Sequence, residues 1–208
     1  LVLNIVLAIV IEVGYALRTF AALADYRRCY VPGGSYFFTV VTERRAHILA
    51  NEIARDCLRN AVRNCQLHLP FHVDALVILP DHIHAIWTLP INDSDYSKRW
   101  GMVKKHFTQH WLALGGHEEA VTASKLRYRR RGIWQRRFWE HTLHDEQDYQ
   151  NHFDYLHFNP VKHGLVDGVS KWPYSSFHYW VKQGVYTDLW GSNIEEFESL
   201  MKLNCPGE

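Results

Sequence analysis

Hydrophobic positions along this chain follow two periods in turn, and the changes of period mark its elements. Ser35–Thr42 follows a Pro32-Gly33-Gly34 turn and is dense in aromatic and β-branched residues, the composition of a strand. Asn51–Leu67 carries apolar residues at Ile53, Cys57, Leu58, Ala61, Val62 and Cys65, a helical stripe with Asn51 placed to cap it. Val73–Leu79 predicts a second strand, Pro80-Asp81 a tight corner, and Ile83–Leu89 a third strand closing at Pro90. Ser94–Leu114 repeats the helical stripe through Trp100, Val103, Phe107, Trp111 and Leu114. Gly115–Ser124 has no period and reads as a loop. Arg136–Leu143 is short and aromatic and predicts a fourth strand. Asp145, with Asp148 three residues on, opens a further helix with a carboxylate-rich first turn.

Strand, helix, strand, strand, helix, strand is the order of an α+β, ferredoxin-like split βαβ (βαββαβ) fold: an antiparallel sheet with helices on one face. The other face is then expected to be open, a common platform for single-stranded nucleic acid. The last helix and the tail beyond Trp172 are additions to that core. Leu1–Val13 is almost all apolar, too short for a membrane span and without the basic start of a secretory signal. The expected division is an extension over 1–24, a folded domain over 25–184 and an acidic tail over 185–208.

Composition adds three points. At 208 residues with 47% hydrophobic content, the chain suits one domain with a substantial core. Cys29, Cys57, Cys65 and Cys205 are irregularly spaced with no C-x-x-C, which points to a reducing compartment and inert thiols. The formal net charge of +1 conceals an asymmetry: Lys98–Arg137 holds eleven Lys/Arg against Glu118 and Glu119, and the rest of the chain is acidic. Within that region Lys125–Arg137 has seven basic residues and no acid, with Tyr128 and Trp134 interleaved. Such a segment either binds a polyanion or is a solvated basic loop.

Two spacings carry candidate chemistry. His82-Ile83-His84 puts two imidazoles on one face of a strand, because side chains alternate with period two. Burying both without a metal requires separate hydrogen-bond partners for each, so the pair is either a bonded core pair or two ligands. On the last helix, Tyr149, Phe153 and Leu156 share one stripe, read as the core face, and Tyr155 lies roughly 120° away, beside His152 and Asn159. Tyr149 is then the packing tyrosine and Tyr155 the reactive one. Asn159 has two readings: a side chain facing a metal, or the N-cap of a new helix with Pro160 at its first position and Gly164 ending it. No P-loop, G-x-G-x-x-G or G-x-S-x-G motif is present, which leaves nucleotide-triphosphate and dinucleotide chemistry without their usual signatures.

Six blocks, in order, resemble one family: Asp25–Arg28, Pro32–Val40, Leu79–Trp87, Gly132–His141, Asp154–Val166 and Trp172–Ser176. Together they resemble the REP-associated tyrosine transposases, bacterial relatives of the single-tyrosine transposases of the His-hydrophobic-His (HUH) superfamily. The likeness runs from about Asp25 to Tyr179 and is faint after Gly184. It implies that 25–184 is a catalytic domain, that Tyr155 is the nucleophile, and that His82, His84 and Asn159 hold Mg²⁺ or Mn²⁺, with Asn159 standing where related transposases use Gln. It implies cleavage and rejoining of single-stranded DNA at REP-type hairpins through a 5′-phosphotyrosine, without a nucleotide triphosphate. Lys104, Lys105, Arg127, Arg129, Arg130, Arg131, Arg136 and Arg137 are the expected DNA-binding side chains. The resemblance further implies a cytoplasmic, nucleoid-associated bacterial protein without stable membrane association, as a monomer or homodimer. The competing readings are a nucleic-acid-binding module without catalysis and a replication or relaxase-type nicking enzyme.

Overall fold

The computed structural model describes residues 28–128 and 130–192. The apolar extension, Arg129, Cys205 and most of the acidic tail therefore lie outside the described residues. The elements are β1 (Ser35–Val41), α1 (Glu52–His68), β2 (His72–Ile78), β3 (His82–Thr88), α2 (Tyr96–Ala113), a short α3 (Ala123–Arg127), β4 (Trp139–Thr142), α4 (Glu146–Lys162) and α5 (Phe177–Lys182). The sheet order is β2-β3-β1-β4, with each neighbouring pair antiparallel, the ferredoxin-like arrangement. Of the expected fourth strand, Trp139–Thr142 pairs with β1 and Leu143 N donates to Ser35 O at 2.9 Å, while Arg136–Phe138 precede the strand.

Three helices start where a side chain can satisfy their unpaired N–H groups. Asn51 accepts from Ile53 N and Ala54 N, Asp95 from Lys98 N, and Asp145 from Asp148 N. Strand alternation then divides the core in two. Tyr36, Phe38 and Val40 of β1, with Ile83, Ala85 and Trp87 of β3, pack with α1 and α2. Trp87 stacks on Trp100 at 4.0 Å between ring centroids. The intervening residues, Phe37 and Ile86 among them, pack with α4, Phe177 and Tyr186.

The second face is therefore not open. α4 lies against β2 and β3, and the segment from Val169 to Trp190 folds over α4. Buried polar bonds hold this layer together. His157 on α4 reaches Phe153 O at 2.9 Å, Ser176 Oγ at 2.9 Å and Tyr186 Oη at 3.2 Å, and Tyr186 donates to Asp154. Burial pushes His157 down to about 3, so it stays neutral. Tyr186 and Trp190 belong to this packed layer although they follow residue 184.

No new helix begins at Asn159. α4 runs unbroken from Glu146 to Lys162 with Pro160 inside it. Pro160 cannot donate to the Leu156 carbonyl, a local cost. The final turn still closes, His163 N donating to Asn159 O at 3.0 Å and Leu165 N to Pro160 O at 3.0 Å. Gly164, at φ +65°, takes the left-handed conformation that ends the helix. No helix among the described residues is long and apolar enough to cross a membrane.

Candidate active site

The corner before β3 fixes the first imidazole. Leu79 N donates to His82 O at 2.9 Å, and Thr42 clamps the Asp81 carbonyl through its N–H and hydroxyl at 2.9 and 2.8 Å. One Asp81 carboxylate oxygen meets His82 Nδ1 at 2.6 Å and the other meets Arg45 at 2.9 Å. Burial alone would raise the Asp81 carboxyl; the bonds and charges of His82 and Arg45 override it and hold it well below the usual carboxylate range. An ionised carboxylate only accepts, so His82 Nδ1 carries the proton. His82 Nε2 is buried and makes no hydrogen bond, which leaves a directed lone pair. Two residues on, His84 Nδ1 meets the buried hydroxyl of Thr39 at 3.0 Å. The two rings stand edge to face at 4.9 Å. This is the donor geometry of a cation site: a nitrogen with a lone pair and no protein partner, its ring oriented by a carboxylate behind it.

α4 brings the phenol to these rings. The Tyr155 ring lies 5.8 Å from that of His84. Asn159 is one helical turn further on and fully buried. At the helix end His163 packs against His82 at 5.1 Å. Tyr155 is only 2% exposed, whereas Tyr149, the expected packing tyrosine, is half-buried. The helical wheel gave the packing role to Tyr149, but Tyr155 is the more deeply buried of the two. α4 is covered on both flanks, by the sheet and by the Phe177–Trp190 layer, so an off-stripe side chain is still enclosed. Burial, followed by the Asp74 charge, raises the Tyr149 phenol, an unfavourable setting for a nucleophile.

Lys162 is not among the site residues expected from the sequence. Its ammonium donates to Tyr155 Oη at 2.8 Å and stands 4.7 Å from the ring centroid. The i, i+7 spacing, two turns along one helix face, was the available signal.

The basic region is more structured than a solvated loop. Ile133 and Trp134 are buried, Trp134 bridges to Thr42, and Lys125 pairs with Glu43. Lys105, Arg127, Arg136 and Arg137 are exposed. Arg130 lies over the Tyr128 ring at 5.2 Å, and Arg131 forks onto Glu118. Lys104 is the poorest fit to its expected role. It is half-buried, donates to Gln135 O at 3.0 Å, and burial, followed by the Arg28 charge, pushes it down to about 7.

A second cluster of donors lies at the start of α4. His141 on β4 approaches both Asp148 oxygens, at 3.0 and 2.9 Å, and His152 Nδ1 reaches the same carboxylate at 3.0 Å. Burial would raise Asp148, but the His144 N–H and the two imidazoles hold it low. Burial lowers His152 and outweighs the Asp148 bonds.

The ferredoxin-like sheet thus carries paired imidazoles on one strand, and α4 brings a phenol to 5.8 Å from the second of them. No family model matches the chain. It is 40% identical over 178 residues to the REP-associated tyrosine transposase of Escherichia coli strain K12, covering 85% of this chain and 96% of that protein. A Haemophilus influenzae protein named to the same family is 43% identical over 171 residues, covering 82% of this chain and 95% of the relative. The solved structure of a REP-associated tyrosine transposase bound to a REP hairpin superimposes with a TM-score of 0.68 at 42% identity, over 82% of this chain and 92% of that one. The chain belongs to the REP-associated tyrosine transposases.

Proposed function

We propose that this chain cleaves and rejoins single-stranded DNA at REP-type hairpins, with Tyr155 as nucleophile. The observation that carries the reading is the enclosed Tyr155 phenol, placed beside His84 and bonded to Lys162. Its hydroxyl oxygen attacks phosphorus in line, the phenolic proton leaves, and the bond to the 3′ oxygen breaks as that oxygen takes up a proton. The products are a 5′-phosphotyrosine and a free 3′-OH. One ester replaces another of similar energy, so the step reverses without a nucleotide triphosphate. A free phenol titrates near 10. Lys162 donates a hydrogen bond to the phenol oxygen that makes the attack.

His82 Nε2, His84 and Asn159 are the residues that would hold a divalent cation. When bound, such an ion neutralises charge on the scissile phosphate. Mg²⁺ and Mn²⁺ are the expected ions, Asn159 adding an oxygen to a set otherwise softer than Mg²⁺ prefers. Lys105, Arg127, Arg130, Arg136 and Arg137 line the region that would contact phosphates. The hairpin in the related solved structure supports the choice of DNA.

The test uses labelled single-stranded REP hairpin DNA with Mg²⁺. A covalent protein–DNA adduct is expected from the unaltered chain and from Tyr149→Phe, and none from Tyr155→Phe or with chelator. An adduct persisting in Tyr155→Phe overturns the assignment.

A further inference from the structure

The catalytic reading makes no use of His141, Asp148 and His152. We propose that these three side chains form a second cation site, for Zn²⁺ or a similar borderline divalent ion, that clamps edge strand β4 to the first turns of α4.

Donor chemistry and placement carry this. Two imidazoles and a carboxylate are a common zinc ligand set, and three protein ligands leave a fourth position for water. Their ligand atoms all lie within 4.8 Å of one another. The contacts to Asp148, 2.9 to 3.0 Å, are a few tenths shorter than the spacing between neighbouring ligands of a tetrahedral ion with bonds of about 2.0–2.2 Å. A small opening of the cluster therefore admits the ion.

The rings of His141 and His152 stack at 4.5 Å with an interplanar angle of 18°, which sets them side by side on the carboxylate. Asp148 is fixed by the backbone as well: His144 N donates to its Oδ2 at 3.0 Å, and its own N–H is capped by Asp145. His152 Nδ1 also meets the Asp148 carbonyl at 2.9 Å, so a metal at that nitrogen displaces one helix-side bond and its proton. The His141 and Asp148 side chains are 31% and 21% exposed, which gives the ion a route in from solvent.

The site shares no residue with the His82–His84 pair, and the Phe37 ring packs against both. That ring touches His152 at 5.1 Å and His84 at 5.2 Å. Asp148 stands two helical turns before Tyr155, so an ion here would fix the end of the helix that presents the nucleophile.

The test is made in the full chain carrying His82→Ala and His84→Ala, so that the first site contributes nothing. We expect this protein to retain about one equivalent of Zn²⁺ after dialysis, measured by elemental mass spectrometry. We also expect its melting temperature to rise by roughly 5–10 °C with Zn²⁺ at about 100 times Kd. Adding Asp148→Asn, which keeps the side chain's shape, abolishes both effects. His141→Gln, at the half-exposed strand end, does the same and guards against misfolding of the first variant. Failure of the double-Ala background to hold Zn²⁺, or equal retention after Asp148→Asn, overturns the proposal and shows the cluster to be hydrogen-bonded only. Neither outcome bears on the Tyr155 adduct.

Discussion

The two faces of the sheet use the same two strands for opposite ends. Toward α1 and α2, β1 and β3 present Tyr36, Phe38, Val40, Ile83, Ala85 and Trp87, a continuous apolar layer. Toward α4 they present Phe37, Thr39, His82, His84 and Ile86, a layer broken by buried polar groups. The first face presents only apolar strand side chains apart from the Tyr36 hydroxyl, and its unsatisfied polar atoms, the indole N–H groups of Trp100 and Trp134, come from the elements packed over it. The second encloses a nitrogen at His82 that makes no hydrogen bond, an arrangement that costs stability. The contrast separates what holds the fold from what the fold is arranged to do.

The sharpest way to break the comparison is one substitution on each face. His82→Leu should abolish adduct formation at a cost of about 1–3 kcal/mol, because removal of the orphaned nitrogen is offset by the bond that the Asp81 carboxylate loses. Trp87→Ala, on the other face, should lose about 3–5 kcal/mol in denaturant unfolding. Equal destabilisation by the two would show that the faces do not differ in this way. A smaller effect is expected at Lys162. Lys162→Met should slow adduct formation roughly 10–100-fold, with Lys162→Arg, which keeps a donor, recovering part of it. An unchanged rate in Lys162→Met would confine Lys162 to packing.

The α4 layer should also be sensitive to acid. His157 is held at about 3, below its ordinary value. Between about 6.5 and 3 the unfolded chain takes up a proton that the folded chain refuses, so this contribution to stability falls as pH falls through that window. Asp81, held low in the folded state, acts in the same direction over the lower part of the range. His157→Gln should flatten the slope of unfolding free energy against pH there; an unchanged slope would assign it to other groups. The smallest effect is on the surface. Arg136→Ala with Arg137→Ala should lower the salt dependence of single-stranded DNA binding by about 1.4 log units per log unit of salt. Arg131→Ala should change it less, since Arg131 is already committed to Glu118.

The sequence was most legible where chemistry is local. Asn51 and Asp145 announce helix starts because each accepts from a backbone N–H two or three residues on, whereas the helix expected from Ser94 is capped by Asp95 and begins at Tyr96. His82 and His84 share a face because strand side chains alternate. It was least legible where tertiary packing overrides a local rule. Asn159-Pro160 has the local form of a helix start, yet both residues are buried inside α4, where packing outweighs one missing backbone bond. Tyr155 looks half-exposed on a wheel only if a single surface covers the helix, and here two do. The partnership of His141 with Asp148 and His152 joins a strand to a helix, and no spacing rule connects them.

The alternation of His82, Ile83, His84 and Ala85 also makes the sheet its own error check. β3 is held in one register against β1, with Thr39 opposite His84 and Val41 opposite His82. A slip by a single residue would turn both imidazoles into the layer around Trp100 and Phe38 and send Ile83 and Ala85 to α4. A misaligned sheet would thus lose its apolar core and its candidate metal ligands together. A chain that folds stably has, by the same pairing, already aimed its two histidines toward Tyr155.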